Sequence, residues 1–169
     1  MLSPRLKIRS TFNESTNHMN TINQLLATAR ERAKSSGREY EGEVLPSEAF
    51  ALLTSHPGCT LIDVRTEAEW EWVGRVPDSV LVQWNIWPGG QSNPQFMTQL
   101  QEAVPDLSAP ILFLCRSGAR SLNAATAATR AGYAHCFNIL KGFEGDKNPG
   151  GQRNLLGGWR FEGLPWIQG

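Results

Sequence analysis

The chain has 169 residues, 40% of them hydrophobic and 19% charged, which suits one domain with a packed core and indicates neither long disorder nor a membrane span. Sixteen Lys and Arg balance sixteen Asp and Glu, so the chain lacks the basic footprint of a nucleic-acid-binding protein. The charge is uneven, with a net +5 over residues 1–38 and a net −5 over residues 39–169. We therefore expect no nucleic-acid partner and no membrane partner.

The first part of the chain differs in composition from the rest. Residues 1–18 contain basic residues but no apolar core segment, so they are not a secretory signal. They are predicted to be a flexible leader, with an organellar transit peptide or a translation start at Met19 as open alternatives. Apolar positions at helical spacing predict an amphipathic helix over residues 19–38. This helix either packs on the flank of the domain or binds a partner.

Residues 39–169 alternate short apolar runs with helical spacings and are predicted to form one α/β domain. Strands are expected at residues 43–45, 60–64, 79–83, 111–114 and 135–140, and helices at residues 47–53, 96–103 and 122–131. Such alternation produces a five-stranded parallel sheet with helices on both faces. No Gly-x-Gly-x-x-Gly follows a strand, so dinucleotide binding is not supported.

Cys115 lies in the turn between the apolar run 111–114 and the helix that follows it, next to Arg116 and Arg120. Loops at the carboxyl edge of an open α/β sheet diverge and leave a crevice. The start of the helix presents unpaired N–H groups and a partial positive charge, and the two arginines add full charges. The pKa of a free cysteine thiol, about 8.5, falls to roughly 3.5 to 7.5 in such surroundings. Cys115 is therefore predicted to be a thiolate at neutral pH, and the alternative is an inert core cysteine.

The remaining cysteines and histidines suggest no second chemistry. Cys59, Cys115 and Cys136 are an odd number and indicate neither a disulfide framework nor a metal site, which favours a reducing, cytoplasmic setting. His135 stands at the start of its predicted strand and so belongs to the sheet edge opposite Cys115. A Cys–His dyad is therefore not expected.

Three ordered motifs carry a family resemblance. The segment 115–121, Cys-Arg-Ser-Gly-Ala-Arg-Ser, resembles the active-site loop of rhodanese-type sulfurtransferases. Two further segments resemble the upstream and closing signatures of that family: residues 61–65 with Glu69, Trp70 and residues 74–78, and residues 157–159 with residues 163–166. Arg75 stands where the family usually has His, but the chemistry of the family is not usually assigned to that position.

The resemblance implies a rhodanese-like fold and a thiosulfate sulfurtransferase activity. Cys115 would attack a small anionic sulfur donor, carry the sulfur as a persulfide and pass it to a thiol, cyanide or a protein thiol. The expected substrate-binding residues are Arg116, Ser117, Gly118, Ala119 and Arg120, and no metal, nucleotide or flavin cofactor is expected. Asp63 and Arg65 are implied to support this edge of the sheet, with Arg65 pairing with Glu69.

Two alternative functions stay open. Related phosphatases and arsenate reductases place five residues between the cysteine and the arginine, whereas four separate Cys115 from Arg120. The smaller ring suits a sulfur atom better than a tetrahedral phosphate or arsenate. The second alternative is a non-enzymatic rhodanese-like module for sulfur relay or protein interaction, although such modules commonly lack the cysteine.

Glycines, a proline and alternating charges follow the last strand and predict a loop over residues 142–158. Because the loop leaves the carboxyl end of a strand beside the catalytic one, it is expected to overhang the Cys115 pocket. It is either a lid, in which Phe143 and Arg153 help to select the acceptor, or a plain surface loop.

Overall fold

The computed structural model describes the backbone from residue 4 to residue 169 and the side chains from Met19 onward. Its helices are α1 (Pro4–Ser35), α2 (Pro46–Ser55), α3 (Glu67–Trp72), α4 (Phe96–Ala103) and α5 (Ala119–Arg130). Its strands are β1 (Gly42–Val44), β2 (Thr60–Asp63), β3 (Val80–Leu81), β4 (Ile111–Leu114) and β5 (Cys136–Ile139). No helix in this described part is long and apolar enough to cross a membrane.

The five strands form one sheet in the order β1-β5-β4-β2-β3, and every neighbouring pair is parallel. This confirms the predicted fold class. β4 lies at the centre and all four of its residues are buried, as its apolar run predicts for a strand covered on both faces. Asp63 of β2 lies opposite Leu114 of β4, so both strands end at the same edge of the sheet. Cys115 follows β4 directly at that edge.

Alternation along β4 divides the core into two layers. Ile111 and Phe113 pack with Cys115 in the layer that contains buried residues of α4 and α5. Leu112 and Leu114 belong to the opposite layer, together with buried residues of α1 and α2 and with Trp159. The side chain of Cys115 is therefore on the side of the sheet that α5 covers.

The N-terminal helix predicted over residues 19–38 overlaps α1, which begins earlier, at Pro4, and ends earlier, at Ser35. Ala29 and Ala33 are buried in the core, and Arg32 forms an ion pair with Glu48 of α2 at 2.5 Å. These contacts agree with packing on the flank of the domain. The predicted flexible leader over residues 1–18 lies outside the residues whose side chains the structure describes, and it stays a prediction.

Two elements differ from the sequence prediction. β3 has two residues rather than five, because it is an edge strand that pairs with β2 at only two positions. α3 is an additional helix, closed at its start by a capping box. The Thr66 hydroxyl accepts a hydrogen bond from the Glu69 N–H at 3.3 Å, and the Glu69 carboxylate accepts one from the Thr66 N–H at 2.9 Å.

Candidate active site

The sulfur of Cys115 lies at the bottom of the turn between β4 and α5, and the side chain is 1% exposed. Its Sγ accepts hydrogen bonds from the backbone N–H of Gly118 at 3.0 Å and from the Ser121 hydroxyl at 3.2 Å. Gly118 has a φ of +105°, a left-handed conformation that glycine adopts readily. Two donors that point at one sulfur stabilise negative charge on it. Sequence reasoning included Gly118 among the binding residues but assigned no role to the buried Ser121.

The turn after β5, residues 142–144, packs against the cysteine loop, residues 115–121, and forms the wall of the site. The backbone N–H of Phe143 donates to the Cys115 carbonyl at 2.8 Å, and the N–H of Glu144 donates to the Arg116 carbonyl at 2.9 Å. Gly142 packs so closely that a Cβ atom at this position would lie 2.3 Å from the Cys115 carbonyl oxygen. The two backbone segments therefore hold each other in place.

The two loop arginines have different surroundings. Arg120 is half-buried and forms a bidentate pair with Glu69, at 2.8 Å and 2.7 Å between the nitrogen and oxygen atoms. Arg116 is exposed, and its guanidinium has no hydrogen-bond or ion-pair partner among the residues that the structure describes. The expected pairing of Arg65 with Glu69 is wrong, because Glu69 pairs with Arg120 across 51 positions of sequence.

The Glu69–Arg120 pair is reflected in the titration of both groups. Burial alone would raise the pKa of Glu69, but the hydrogen bonds from Arg120 and Thr66 outweigh it and lower this pKa to about 2. Burial would likewise lower the pKa of Arg120, yet the bonds to Glu69 leave it above its ordinary value. Both groups are therefore charged at neutral pH, and much of the Arg120 charge is neutralised by the chain itself.

Asp63 and Arg65 form a fully buried ion pair at the carboxyl end of β2, at 2.6 Å. The Arg65 guanidinium also donates to the Gly74 carbonyl at 2.7 Å and lies 4.1 Å from the centre of the Phe143 ring. Phe143 in turn hydrogen-bonds the Cys115 carbonyl. A continuous line of contacts thus joins the upstream motif to the cysteine loop.

A pocket of about 460 Å³ opens beside the loop, and its lining includes Arg116, Arg120, Glu69 and Trp87. Cys115 does not itself line this pocket, which agrees with its 1% exposure. The loop contributes two side chains to the lining, those of Arg116 and Arg120.

The segment 142–158 contains no helix or strand, as predicted. Phe143 is fully buried, however, so the expectation that it selects an acceptor at the pocket rim is wrong. Its ring is held inside the fold because it packs against the buried Arg65. The Arg153 guanidinium donates to the Gly145 carbonyl at 2.5 Å.

His135 and the other two cysteines lie away from this site. The His135 carbonyl accepts from the Ile111 N–H where β4 begins, and its ring nitrogen Nδ1 lies 2.6 Å from Glu41. This is the edge opposite Cys115, as predicted. Burial raises the pKa of Cys59 to about 12 and that of Cys136 to about 11, so both are neutral thiols. The described residues include no group of three or more side chains that could hold a metal ion.

The sheet order and the cysteine after the central strand define an α/β protein with a buried cysteine at the carboxyl edge of its sheet. The family model of the rhodanese-like domain matches residues 46–148. The chain belongs to the rhodanese-like domain family.

Relatives and solved structures agree with this family. The uncharacterized protein RC0915 of Rickettsia conorii is 38% identical over 124 residues, which cover 73% of this chain and 94% of the relative. The crystal structure of Rv0390 from M. tuberculosis is 43% identical and has a TM-score of 0.71, covering 78% of this chain and all of that one. The polysulfide-sulfur transferase homodimer of Wolinella succinogenes shares the fold at 20% identity, with a TM-score of 0.53 and coverage of 99% and 95%.

Proposed function

We propose that this protein is a sulfurtransferase in which Cys115 carries a sulfane sulfur from thiosulfate, or another anionic or persulfide donor, to a thiophilic acceptor. The observation that supports this most directly is the pair of hydrogen bonds that Gly118 and Ser121 donate to Sγ. A sulfur with two donors is suited to carry negative charge, both as a nucleophile and as the outer atom of a persulfide. The proposal places the protein in a reducing, cytoplasmic setting, in keeping with its three free cysteines.

The first step forms one bond and breaks one. The Cys115 thiolate attacks the outer sulfur of thiosulfate, the sulfur–sulfur bond of the donor breaks, and sulfite leaves with the bonding electron pair. In the second step an acceptor thiolate or cyanide attacks the outer sulfur of the persulfide, and Cys115 leaves as a thiolate again. Both steps need only a stabilised sulfur anion and an accessible outer sulfur atom.

The position of Cys115 favours a narrow donor. Because Cys115 is 1% exposed, the atom that its sulfur attacks must stand at the end of a slender group, as the outer sulfur of thiosulfate or of a persulfide does. We assign the other end of the donor to Arg116, which is exposed, and to the backbone N–H groups at the start of α5. Arg120 and Glu69 both line the pocket, and the bonds between them hold the Arg120 side chain in place.

The alternatives find less support in the geometry. Phosphoryl transfer uses a guanidinium that clasps the phosphate oxygens, whereas two nitrogens of Arg120 are bonded to Glu69. A module without catalysis would have no need of two donors on the sulfur of its cysteine.

A coupled assay tests the proposal. The protein is incubated with thiosulfate and cyanide, and thiocyanate and sulfite are measured against time, with Cys115→Ser as the inactive control. Hydrolysis of an aryl phosphate is measured on the same preparation. We expect equal amounts of thiocyanate and sulfite, and no phosphatase activity. Phosphatase activity that Cys115→Ser abolishes, with no thiocyanate formed, would overturn the proposal.

A further inference from the structure

Two tryptophan side chains beside the site are largely exposed to solvent. Trp72 is 75% exposed and Trp87 is 63% exposed, and no large hydrophobic side chain in the described part of the chain is more exposed than Trp72. Together with Glu67, Ala68 and Glu71 they line a hollow of about 320 Å³, which we call the tryptophan groove. Large exposed apolar side chains that lie together on a surface are typical of an interaction site.

The tryptophan groove is continuous with the pocket beside the cysteine loop. Ala68 and Trp87 line both hollows, so a ligand that lies in the groove extends toward Arg116 without leaving the surface. Thiosulfate is far smaller than the two hollows together, which have volumes of about 460 Å³ and 320 Å³. The combined surface fits a peptide segment better than a small anion.

The charge on the groove indicates what kind of segment. Glu67 and Glu71 are exposed and one helical turn apart on α3, and neither carboxylate has an ion-pair or hydrogen-bond partner in the described part of the chain. An indole face beside carboxylates is a favourable site for a Lys or Arg side chain, through cation–π contact and charge attraction. Residues 39–169 also carry a net charge of −5, which attracts a basic partner at long range.

We propose that the tryptophan groove docks the protein that exchanges sulfur with Cys115, and that this partner presents a cysteine with Lys or Arg residues a few positions away. The inference rests on the proposed function, because it names the partner class of that site. The cysteine of the partner enters the pocket beside Arg116, and its basic side chains lie on Trp72 and Trp87 next to Glu67 and Glu71.

Sulfur transfer to two synthetic peptides tests the proposal. Each peptide has twelve residues and one cysteine; one carries three lysines near the cysteine and the other carries three glutamates in the same positions. The protein is first converted to its persulfide form with thiosulfate and is then mixed with each peptide. Loss of the persulfide is followed by intact mass. We expect the lysine peptide to react at least about tenfold faster than the glutamate peptide. Trp72→Ala and the double variant Glu67→Gln, Glu71→Gln should bring this ratio close to one.

A control variant distinguishes an effect of the groove carboxylates from an effect of the overall charge of the protein. Glu102 is an exposed carboxylate on α4 that does not line the groove, and Glu102→Gln should keep the wild-type ratio. Equal rates with both peptides in the wild type, or the same loss of preference in Glu102→Gln, would overturn the proposal.

A binding measurement decides the proposal even if no sulfur is transferred. Fluorescence polarisation of labelled peptides that carry serine in place of cysteine is measured with Cys115→Ser protein. The lysine peptide should bind more tightly at low salt, and the Glu67→Gln, Glu71→Gln pair should weaken it at least about fivefold. If Trp72→Ala does not fold, this pair of isosteric substitutions still provides the test. Binding that is equal for both peptides, or unchanged in the paired variant, would refute the inference while leaving the proposed function untouched.

Discussion

Replacing Gly142 with alanine tests how tightly the wall of the site fits the cysteine loop. The Cβ atom would lie 2.3 Å from the Cys115 carbonyl oxygen and 2.7 Å from both the Arg116 carbonyl carbon and the Ser117 nitrogen. All three are backbone atoms of the loop and cannot rotate away. Gly151 is a matched control, because its φ of +79° is also left-handed but a Cβ there meets nothing within 4 Å.

The two substitutions share one cost and differ in another. A left-handed backbone costs an alanine about 1 to 2 kcal/mol relative to glycine, so Gly151→Ala should lose about that much stability. Gly142→Ala must also move backbone from 2.3 Å to the ordinary contact of 3.4 Å, a shift of more than 1 Å. Overpacking of this kind adds about 1 to 3 kcal/mol. A displacement of about 1 Å at a reacting group lowers the rate by about a hundredfold.

The measurement combines urea denaturation with single-turnover sulfur transfer from thiosulfate, at a temperature where both variants are folded. We expect Gly142→Ala to lose about 2 to 5 kcal/mol of unfolding free energy and about a hundredfold in rate, and Gly151→Ala to keep the wild-type rate. If Gly142→Ala equals Gly151→Ala in stability and rate, the wall does not constrain the loop and the reasoning fails.

Three further substitutions test the groups around the sulfur. Ser121→Ala removes a donor to the Cys115 sulfur and should slow persulfide formation by roughly 10- to 100-fold at unchanged stability, and a wild-type rate would show that the hydroxyl is dispensable. Arg116→Ala should raise the KM for thiosulfate by about tenfold or more, whereas Arg120→Ala should chiefly lower stability, by about 1 to 3 kcal/mol; the reverse pattern would contradict the assignment. The pKa of Glu69 is lowered to about 2 from an ordinary 4.5. Its charge therefore contributes about 3 kcal/mol to the free energy of unfolding above pH 4.5, and this contribution is lost as the pH falls toward 2. Urea titrations should show the excess stability of the wild type over Glu69→Gln vanishing across that range, and an excess that persists at pH 2 would disprove this coupling.

Much of the fold follows from local sequence patterns. The run Ile111–Leu114 is too apolar and too short for anything but a covered strand, and the small residues after Ser121 allow a helix to pack closely on the sheet. Their junction places Cys115 at the carboxyl edge by topology alone. The predicted sheet and the position of His135 at the opposite edge are confirmed for the same reason.

The contacts that hold the site together could not be predicted from local patterns, because they join residues far apart in the sequence. The bond between Arg120 and Glu69 joins residues 51 positions apart, and the contact of Gly142 with the loop depends on how the turn after β5 folds back. One local signal did exist: Thr66 followed three positions later by Glu69 is the pattern of a capping box. This pattern predicts that α3 starts after Thr66 and that the Glu69 carboxylate is bonded to the Thr66 backbone. It would have argued against pairing Glu69 with Arg65.

Intact mass after incubation with thiosulfate shows whether Cys115 carries a sulfur, because the measurement requires no acceptor. The wild type, Cys59→Ser and Cys136→Ser should each gain one sulfur, about 32 mass units, and lose it again on addition of cyanide or a dithiol. Cys115→Ser should gain nothing. A sulfur adduct that persists in Cys115→Ser, or a wild type that acquires none, would contradict the account of Cys115 as the sulfur carrier.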